Sequence, residues 1–209
     1  MDEMIFRKYE LVIPQIIKEL ERRNIKGYYA ATKEDALRQA LELIPEGSTV
    51  THGGAYSARQ IGLFDVLSKG NYNYISRDNC DDKEAVYLAA FSADVYISGT
   101  NAVSEDGILV NIDGTGNRLA AIIYGPKKVI FIVGRNKIAV DAENALRRAR
   151  SIAAPINAQR FDVQTPCKKT GACADCTSHD TICCEFLFTR YSKEKDRMHV
   201  ILVNEDLGF

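Results

Sequence analysis

The sequence has no excess of charge of either sign. Its 209 residues include 27 lysines and arginines against 28 aspartates and glutamates, for a net charge of −1. Proteins that bind nucleic acid or an anionic membrane through their overall charge carry a basic excess. We therefore expect neither nucleic acid nor a membrane among the partners.

Long apolar runs are also missing. No stretch approaches the roughly 20 residues that cross a bilayer, and the chain opens on the acidic Met1-Asp2-Glu3 rather than on the basic start of a secretory leader. These absences predict a cytoplasmic protein. In that reducing compartment we expect the six cysteines to be metal ligands or reactive thiols rather than disulfides.

The common phosphate-binding motifs, internal repeats and low-complexity tracts are absent too. The glycine-bearing turns match neither a Walker A loop nor the GxGxxG dinucleotide fingerprint. A site must therefore be sought from the order of strands, helices and turns.

The chain does contain strands that alternate with helices. Apolar spacing predicts a helix over 5–23 with a kink or break at Pro14, and Thr32 followed by Asp35 predicts a helix N-cap. The apolar run Val129–Val133 is typical of a parallel strand covered on both faces. Further strands are predicted at 28–30, 48–51, 72–76, 95–98, 108–112 and 200–203, and further helices at 57–68, 82–91, 117–123 and 139–152.

This alternation predicts an α/β fold with a mostly parallel sheet. We assign residues 1–159 and 198–209 to the α/β domain. Residues 160–197 lack periodicity and hold most of the cysteines, so we separate them as a cysteine-rich, candidate metal-binding segment.

Three glycine-bearing turns follow predicted strands. In an open α/β sheet, ligands bind outside the carboxyl ends of the strands, and glycines with a helix N-terminus present amide groups to an anion. Arg118 would grip a phosphate or carboxylate in two-pronged fashion. The alternative is that these are tight turns without a ligand. The predicted ligand-binding residues are Gly53, Gly54, Ser57, Gly99, Thr100, Asn101, Gly114, Asn117 and Arg118.

Carboxylates in the same turns are candidates for acid–base or nucleophilic catalysis. The predicted catalytic residues are Glu105, Asp106 and Asp113. The alternative is that Asp106-Gly107 and Asp113-Gly114 are only turn sequences. His52, in the first loop, is either a proton carrier or a structural histidine.

Several of these strings resemble one family. Ile97–Ala102, Asn117–Ala121 and Tyr124–Val129 resemble the LUD domain, the lactate-utilisation protein family, and the tail from Thr165-Pro166-Cys167 is similar to its short branch. The resemblance implies a Rossmann-like three-layer fold, similar to the sugar-phosphate isomerase and CoA-transferase superfamily. Helices would cover both faces of a mostly parallel sheet.

The resemblance also implies a function. The superfamily's matching loops line a site for sugar phosphates, acyl-CoA-type thioesters or folates, and longer family members are implicated in oxidising L-lactate to pyruvate with iron–sulfur partner proteins. We therefore expect a protein of organic-acid metabolism that binds a small anionic metabolite in a Gly-rich crevice. Redox or acyl/sugar-phosphate-type chemistry would follow, and a homodimer is the default assembly.

The tail reads Cys167-x5-Cys173-x2-Cys176-x6-Cys183-Cys184. Four thiolates from it would enclose one tetrahedral metal or a small cluster, and the predicted ligands are Cys167, Cys173, Cys176 and Cys183, with Cys184 as the alternative fourth. The spacing matches neither a standard zinc ribbon nor a ferredoxin run. Zinc, an iron–sulfur cluster and unmetallated thiols all stay open.

Three functions remain at this point. The chain is a small-molecule enzyme, a redox accessory protein with a cluster, or a non-enzymatic accessory or metabolite-sensing subunit with a structural metal. Whether it is an enzyme is left open.

Overall fold

A computed structural model describes residues 1–78 and 80–209. The strands are β1 (Lys26–Ala30), β2 (Thr49–His52), β3 (Asn73–Ile75), β4 (Val95–Ser98), β5 (Ala102–Ser104), β6 (Leu109–Asp113), β7 (Lys128–Gly134), β8 (Ile138–Ala139), β9 (Glu185–Thr189) and β10 (Met198–Val203). The helices are α1 (Asp2–Arg22), α2 (Lys33–Glu42), α3 (Tyr56–Gln60), α4 (Leu63–Lys69), α5 (Lys83–Ala90), α6 (Asn117–Ile123), α7 (Ala142–Arg148), α8 (Ala154–Ala158) and α9 (Pro166–Thr170).

Six strands form one sheet in the order β1-β10-β7-β4-β2-β3, and every pairing in it is parallel. The apolar run Val129–Val133 lies in β7, near the middle of the sheet, and is wholly buried. The last strand, β10, enters between β1 and β7, with Val200 opposite both Gly27 and Phe131. The predicted parallel sheet is confirmed, including the return of the C-terminal strand.

Helices cover both faces of this sheet. One face packs against α2, α3 and α4 through residues such as Ala40, Leu63 and Leu67. The other face packs against α1 and α6 through residues such as Ile16 and Leu119. Because strands buried on both faces need apolar cover on both sides, the result is the expected three-layer fold.

A second, four-stranded sheet has the order β8-β5-β6-β9. Its centre is the antiparallel hairpin β5–β6, and Ala145 and Ala149 pack against it. Strand β9 comes from the cysteine-rich segment and pairs with β6, with Phe186 opposite Ile112. The segment is therefore tied to the α/β domain by backbone hydrogen bonds.

Three predicted helices differ in detail. Helix α1 runs unbroken through Pro14, held by the buried Ile13, Ile16 and Leu20 on its inner face. The predicted helix 57–68 is divided into α3 and α4 at Gly62, whose φ of +77° is left-handed and ends the first piece. The predicted helix 139–152 starts at α7 and passes through a π-helical turn, Ala149–Ala153, into α8.

The predicted cap is present, because the Thr32 hydroxyl accepts a hydrogen bond from the Asp35 amide at 3.2 Å. Among the described helices, none is both long enough and apolar enough to cross a bilayer.

Candidate functional site

A cleft of about 380 Å³ opens where the loops after β2, β4 and β6 meet. The first two loops follow parallel strands of the main sheet, so they lie at its carboxyl edge. The third follows β6 of the small sheet and leads into α6. Most of the sequence-predicted residues line this cleft: Gly54, Gly99, Thr100, Asn101, Asp113, Gly114, Asn117 and Arg118.

Arg118 is built into the wall of the cleft rather than extended into it. One guanidinium nitrogen donates to Asn111 Oδ1 at 2.6 Å and to the Gly99 carbonyl at 3.3 Å. The other donates to the Ile112 carbonyl at 2.7 Å and to Asn101 Oδ1 at 3.2 Å. Its terminal nitrogens are thus used to fasten the Gly99–Asn101 loop to β6. The predicted two-pronged grip on a ligand does not match this geometry, although the positive charge stays at the cleft.

Asp113 caps the helix that follows it. Its Oδ2 accepts from the backbone amides of Arg118 at 3.0 Å and Leu119 at 3.3 Å. A carboxylate at a helix N-terminus satisfies free amides and meets the positive end of the helix dipole. Asp113 therefore has a structural task in the described chain, and its catalytic role stays a prediction.

Glu105 and Asp106 lie away from the cleft, so the expectation that they share its rim is wrong. They occupy the turn between β5 and β6, where the Arg23 side chain contacts the Asp106 carboxylate at 3.1 Å. The reason is the antiparallel hairpin. Its open end carries the cleft loops, and its tip points to the opposite end of the strands.

Two residues of the first glycine loop, Gly53 and Ser57, pack behind the cleft and do not line it. Ser57 is fully buried and donates to the Leu207 carbonyl at 3.3 Å, while Gly53 lies so close to Tyr96 that a Cβ would approach its hydroxyl within 2.7 Å. His52 stacks on Phe64 with ring centroids 4.1 Å apart. Burial lowers the pKa of His52, and the side chain does not line the cleft. Its position matches the structural alternative.

Lys137 lines the cleft and was not identified from the sequence. It ends a 3-10 turn after β7, is 4% exposed, and donates from Nζ to Ser57 Oγ at 3.1 Å and to the Thr100 carbonyl at 3.2 Å. Burial, with Arg148 and Arg118 nearby, lowers the pKa of Lys137 to about 7. The string Arg-Asn-Lys after an apolar strand resembles an exposed turn, so the sequence did not indicate that Lys137 is buried at a site.

Positive charge exceeds negative charge around the cleft. Of its two acidic side chains, Asp78 pairs with Arg59 and Asp113 caps α6. The guanidinium of Arg160 lies 5.9 Å from the Tyr56 ring centroid. The cationic lining residues are Arg77, Lys83, Arg118, Lys137 and Arg160.

The cysteine-rich segment forms a second hollow of about 230 Å³, lined by all four predicted ligands, Cys167, Cys173, Cys176 and Cys183. Cys184 is exposed and is not part of the lining. Burial, assisted by the three neighbouring thiols, raises the pKa of Cys183 to about 11. Across 1–78 and 80–209, no group of three or more histidine, cysteine or acidic side chains is arranged to hold one metal ion. Metal binding therefore stays a prediction.

Comparison with known proteins defines the class of protein. The fold is similar to that of a DUF162 family protein from Deinococcus radiodurans, with a TM-score of 0.55 at 10% identity over 93% of this chain and 97% of that one. The LUD domain family model matches residues 13–203. This chain belongs to the LUD domain family, and the resemblance seen in the sequence is confirmed.

Two weaker similarities cover about half of the chain. For eIF2B beta from Chaetomium thermophilum the TM-score is 0.39 at 16% identity, over 53% of this chain and 44% of that one. For ribose 5-phosphate isomerase from Plasmodium falciparum it is 0.34 at 15% identity, over 52% of each chain. No curated protein matches the chain.

Proposed function

We propose that this LUD-domain protein binds a small anionic metabolite in the cleft, an organic acid of the lactate type or a phosphorylated relative. The single observation that carries the proposal is the Lys137 ammonium. It is buried in the cleft beside a hydroxyl and a carbonyl, and no carboxylate pairs with it in the part of the chain that the structure describes.

A buried ammonium without a negative partner is unfavourable, because burial removes its hydration. A ligand carboxylate or phosphate beside Nζ restores the missing interaction and favours the charged form of the lysine. The remaining cationic side chains of the cleft add to the attraction. Anion binding is therefore expected to stabilise the protein.

The size of the cleft and the family of the protein support the ligand class. Small-molecule sites commonly have volumes of about 300–1,000 Å³, and this cleft has about 380 Å³. Family membership supports an organic acid, and an amine with a pKa of about 7 is suited to proton transfer near neutral pH. If the protein is an enzyme, the proposed chemistry is of the redox or acyl/sugar-phosphate type, and the proposed partners are iron–sulfur proteins.

One observation favours a second candidate, a non-enzymatic accessory or metabolite-sensing subunit. Both acidic side chains that line the cleft are engaged, Asp78 by Arg59 and Asp113 by the start of α6. Neither is free to act as a general base without giving up that contact.

Calorimetric titration tests the proposal with L-lactate, pyruvate and inorganic phosphate at pH 6.5. We expect at least one to bind the wild type, and Lys137→Met to weaken that binding by about 10- to 100-fold, the loss of one charged hydrogen bond. The matched control is Lys69→Met, an exposed lysine at the end of α4, which should bind as the wild type does.

Two results would contradict the proposal: no binding of any of the three anions, or equal affinity in Lys137→Met and the wild type. Nuclear magnetic resonance of the bound anion over several hours, with an artificial electron acceptor added to take up the electrons of any oxidation, separates the two candidates. A changing ligand spectrum supports an enzyme, and an unchanged one supports the sensing or accessory role.

A further inference from the structure

The four cysteines that surround the second hollow come from separate parts of the segment. Cys167 lies on α9, Cys173 and Cys176 lie in the loop after it, and Cys183 lies just before β9. They line one hollow because α9 contacts α8 and β9 pairs with β6. The domain thus holds four thiols around one space.

Polar groups lie next to two of the thiols. The Thr165 hydroxyl lies 3.4 Å from Cys167 Sγ, and the Arg150 guanidinium lies 4.0 Å from Cys173 Sγ. Hydrogen bonds and positive charge next to sulfur stabilise a thiolate ligand. The carboxylate of Asp175 pairs with Arg150. The cysteine sulfurs are therefore the ligand atoms that this hollow offers to a metal.

The arrangement is more open than a single-ion site. Zinc binds four sulfurs at about 2.3 Å from one central point, which requires the sulfurs to be nearly in contact. Within the described ranges no such group of side chains is present. Instead, the thiols lie around a space of about 230 Å³.

We propose that this hollow holds an iron–sulfur cluster on Cys167, Cys173, Cys176 and Cys183. Four cysteine thiolates are the usual ligand set of such clusters, and a body of several iron and sulfide atoms occupies the space that one ion leaves open. Cys184 is outside the set, since it does not line the hollow and its Sγ lies 3.7 Å from the Thr181 carbonyl.

The hollow shares a wall with the anion cleft. Ile182 lines both, and a Cβ on Gly114 would come within 3.2 Å of the Ile182 Cα. The Cys184 amide also donates to the Asp113 carbonyl at 2.8 Å. A cluster in the hollow is therefore a direct neighbour of whatever the cleft binds, although cluster binding itself does not depend on the cleft.

The test uses the full chain, purified anaerobically and reconstituted with ferrous iron and sulfide. We expect iron and acid-labile sulfide in equal amounts, several of each per chain, with a broad visible absorption band. A paramagnetic signal is expected either as isolated or after reduction with dithionite. One zinc per chain without sulfide would overturn the proposal, and so would protein that keeps neither iron nor sulfide after reconstitution.

A matched pair of neighbouring substitutions tests the ligand set. Cys183→Ser is expected to lose most of the iron and sulfide, and Cys184→Ser is expected to keep both. The exposed Cys173 offers a second ligand change, Cys173→Ser, which is expected to lose the cluster while circular dichroism stays native. Full cluster content in both ligand variants, or loss in Cys184→Ser alone, would refute the assignment.

Two further controls separate this proposal from the one on the cleft. Cys80→Ser and Lys137→Met lie outside the hollow, so both should keep the cluster. Lys137→Met changes the cleft and no thiol. The anion-binding proposal can therefore fail while the iron and sulfide measurement still supports the cluster.

Discussion

Replacing Lys137 with methionine should change how the stability of the protein depends on pH. The lysine is 4% exposed, and methionine has a similar length without the charge. In the unfolded chain the ammonium titrates near its ordinary pKa of 10.5, whereas in the folded protein burial lowers that pKa to about 7. Between these two pH values the unfolded chain holds a proton that the folded chain has released.

The sign and size of the effect follow from that difference in bound protons. Because the unfolded state binds more protons, the free energy of unfolding of the wild type rises with pH between about 7 and 10.5. Integrating the difference from pH 7 to pH 9 gives a rise of about 2 kcal/mol. Well below pH 7 both states carry the proton, so this contribution no longer changes.

Urea unfolding of the wild type and of Lys137→Met at pH 7, 8 and 9 measures this effect. Other titrating groups, including the thiols, are common to both proteins and cancel in the difference between their free energies of unfolding. We expect Lys137→Met to be the more stable protein at pH 7, with its advantage shrinking by about 2 kcal/mol by pH 9. In a chain of this length that corresponds to roughly 4–8 °C in Tm.

A constant difference between the two proteins from pH 7 to pH 9 would refute the reasoning. It would mean that the folded protein carries the Lys137 proton as readily as the unfolded chain does. The exposed Lys69→Met serves as the control, and its difference from the wild type should not depend on pH in this range.

The remaining predictions concern the cleft and its supports. Arg118→Met should lower the free energy of unfolding by more than 2 kcal/mol, because it strands the buried oxygens that the guanidinium serves; a loss below 0.5 kcal/mol in urea unfolding would contradict this. Asp113→Ala should lower the free energy of unfolding by about 1 kcal/mol, because a helix cap is lost. Asp106→Asn should leave anion affinity unchanged in calorimetry. Anion affinity should fall as pH rises from 6 to 8.5, since the pKa of free Lys137 is about 7; proton uptake on binding at pH 8, measured in two buffers, checks this, and none would count against it.

The local patterns in the sequence predicted most of the fold correctly. The apolar run at Val129–Val133 indicated a strand buried on both faces, and Thr32 with Asp35 indicated a helix start. Both are properties of neighbouring residues, so sequence alone reports them. Strand β6 was predicted at 108–112, but its partner β5 was missed, since a strand of three residues gives little periodicity, and the hairpin was missed with it.

The sequence by itself determined the family, the alternation of strands and helices, and the residues with reactive side chains. Only the tertiary structure decided which of these residues meet. The hairpin turned Glu105 and Asp106 away from the cleft, and the end of β7 carried Lys137 into it. Pairing of β9 with β6 left Cys183 rather than Cys184 at the sulfur-lined hollow. The reason is that strand order and hairpin direction set distances between loops, and these arise from contacts far apart in the chain.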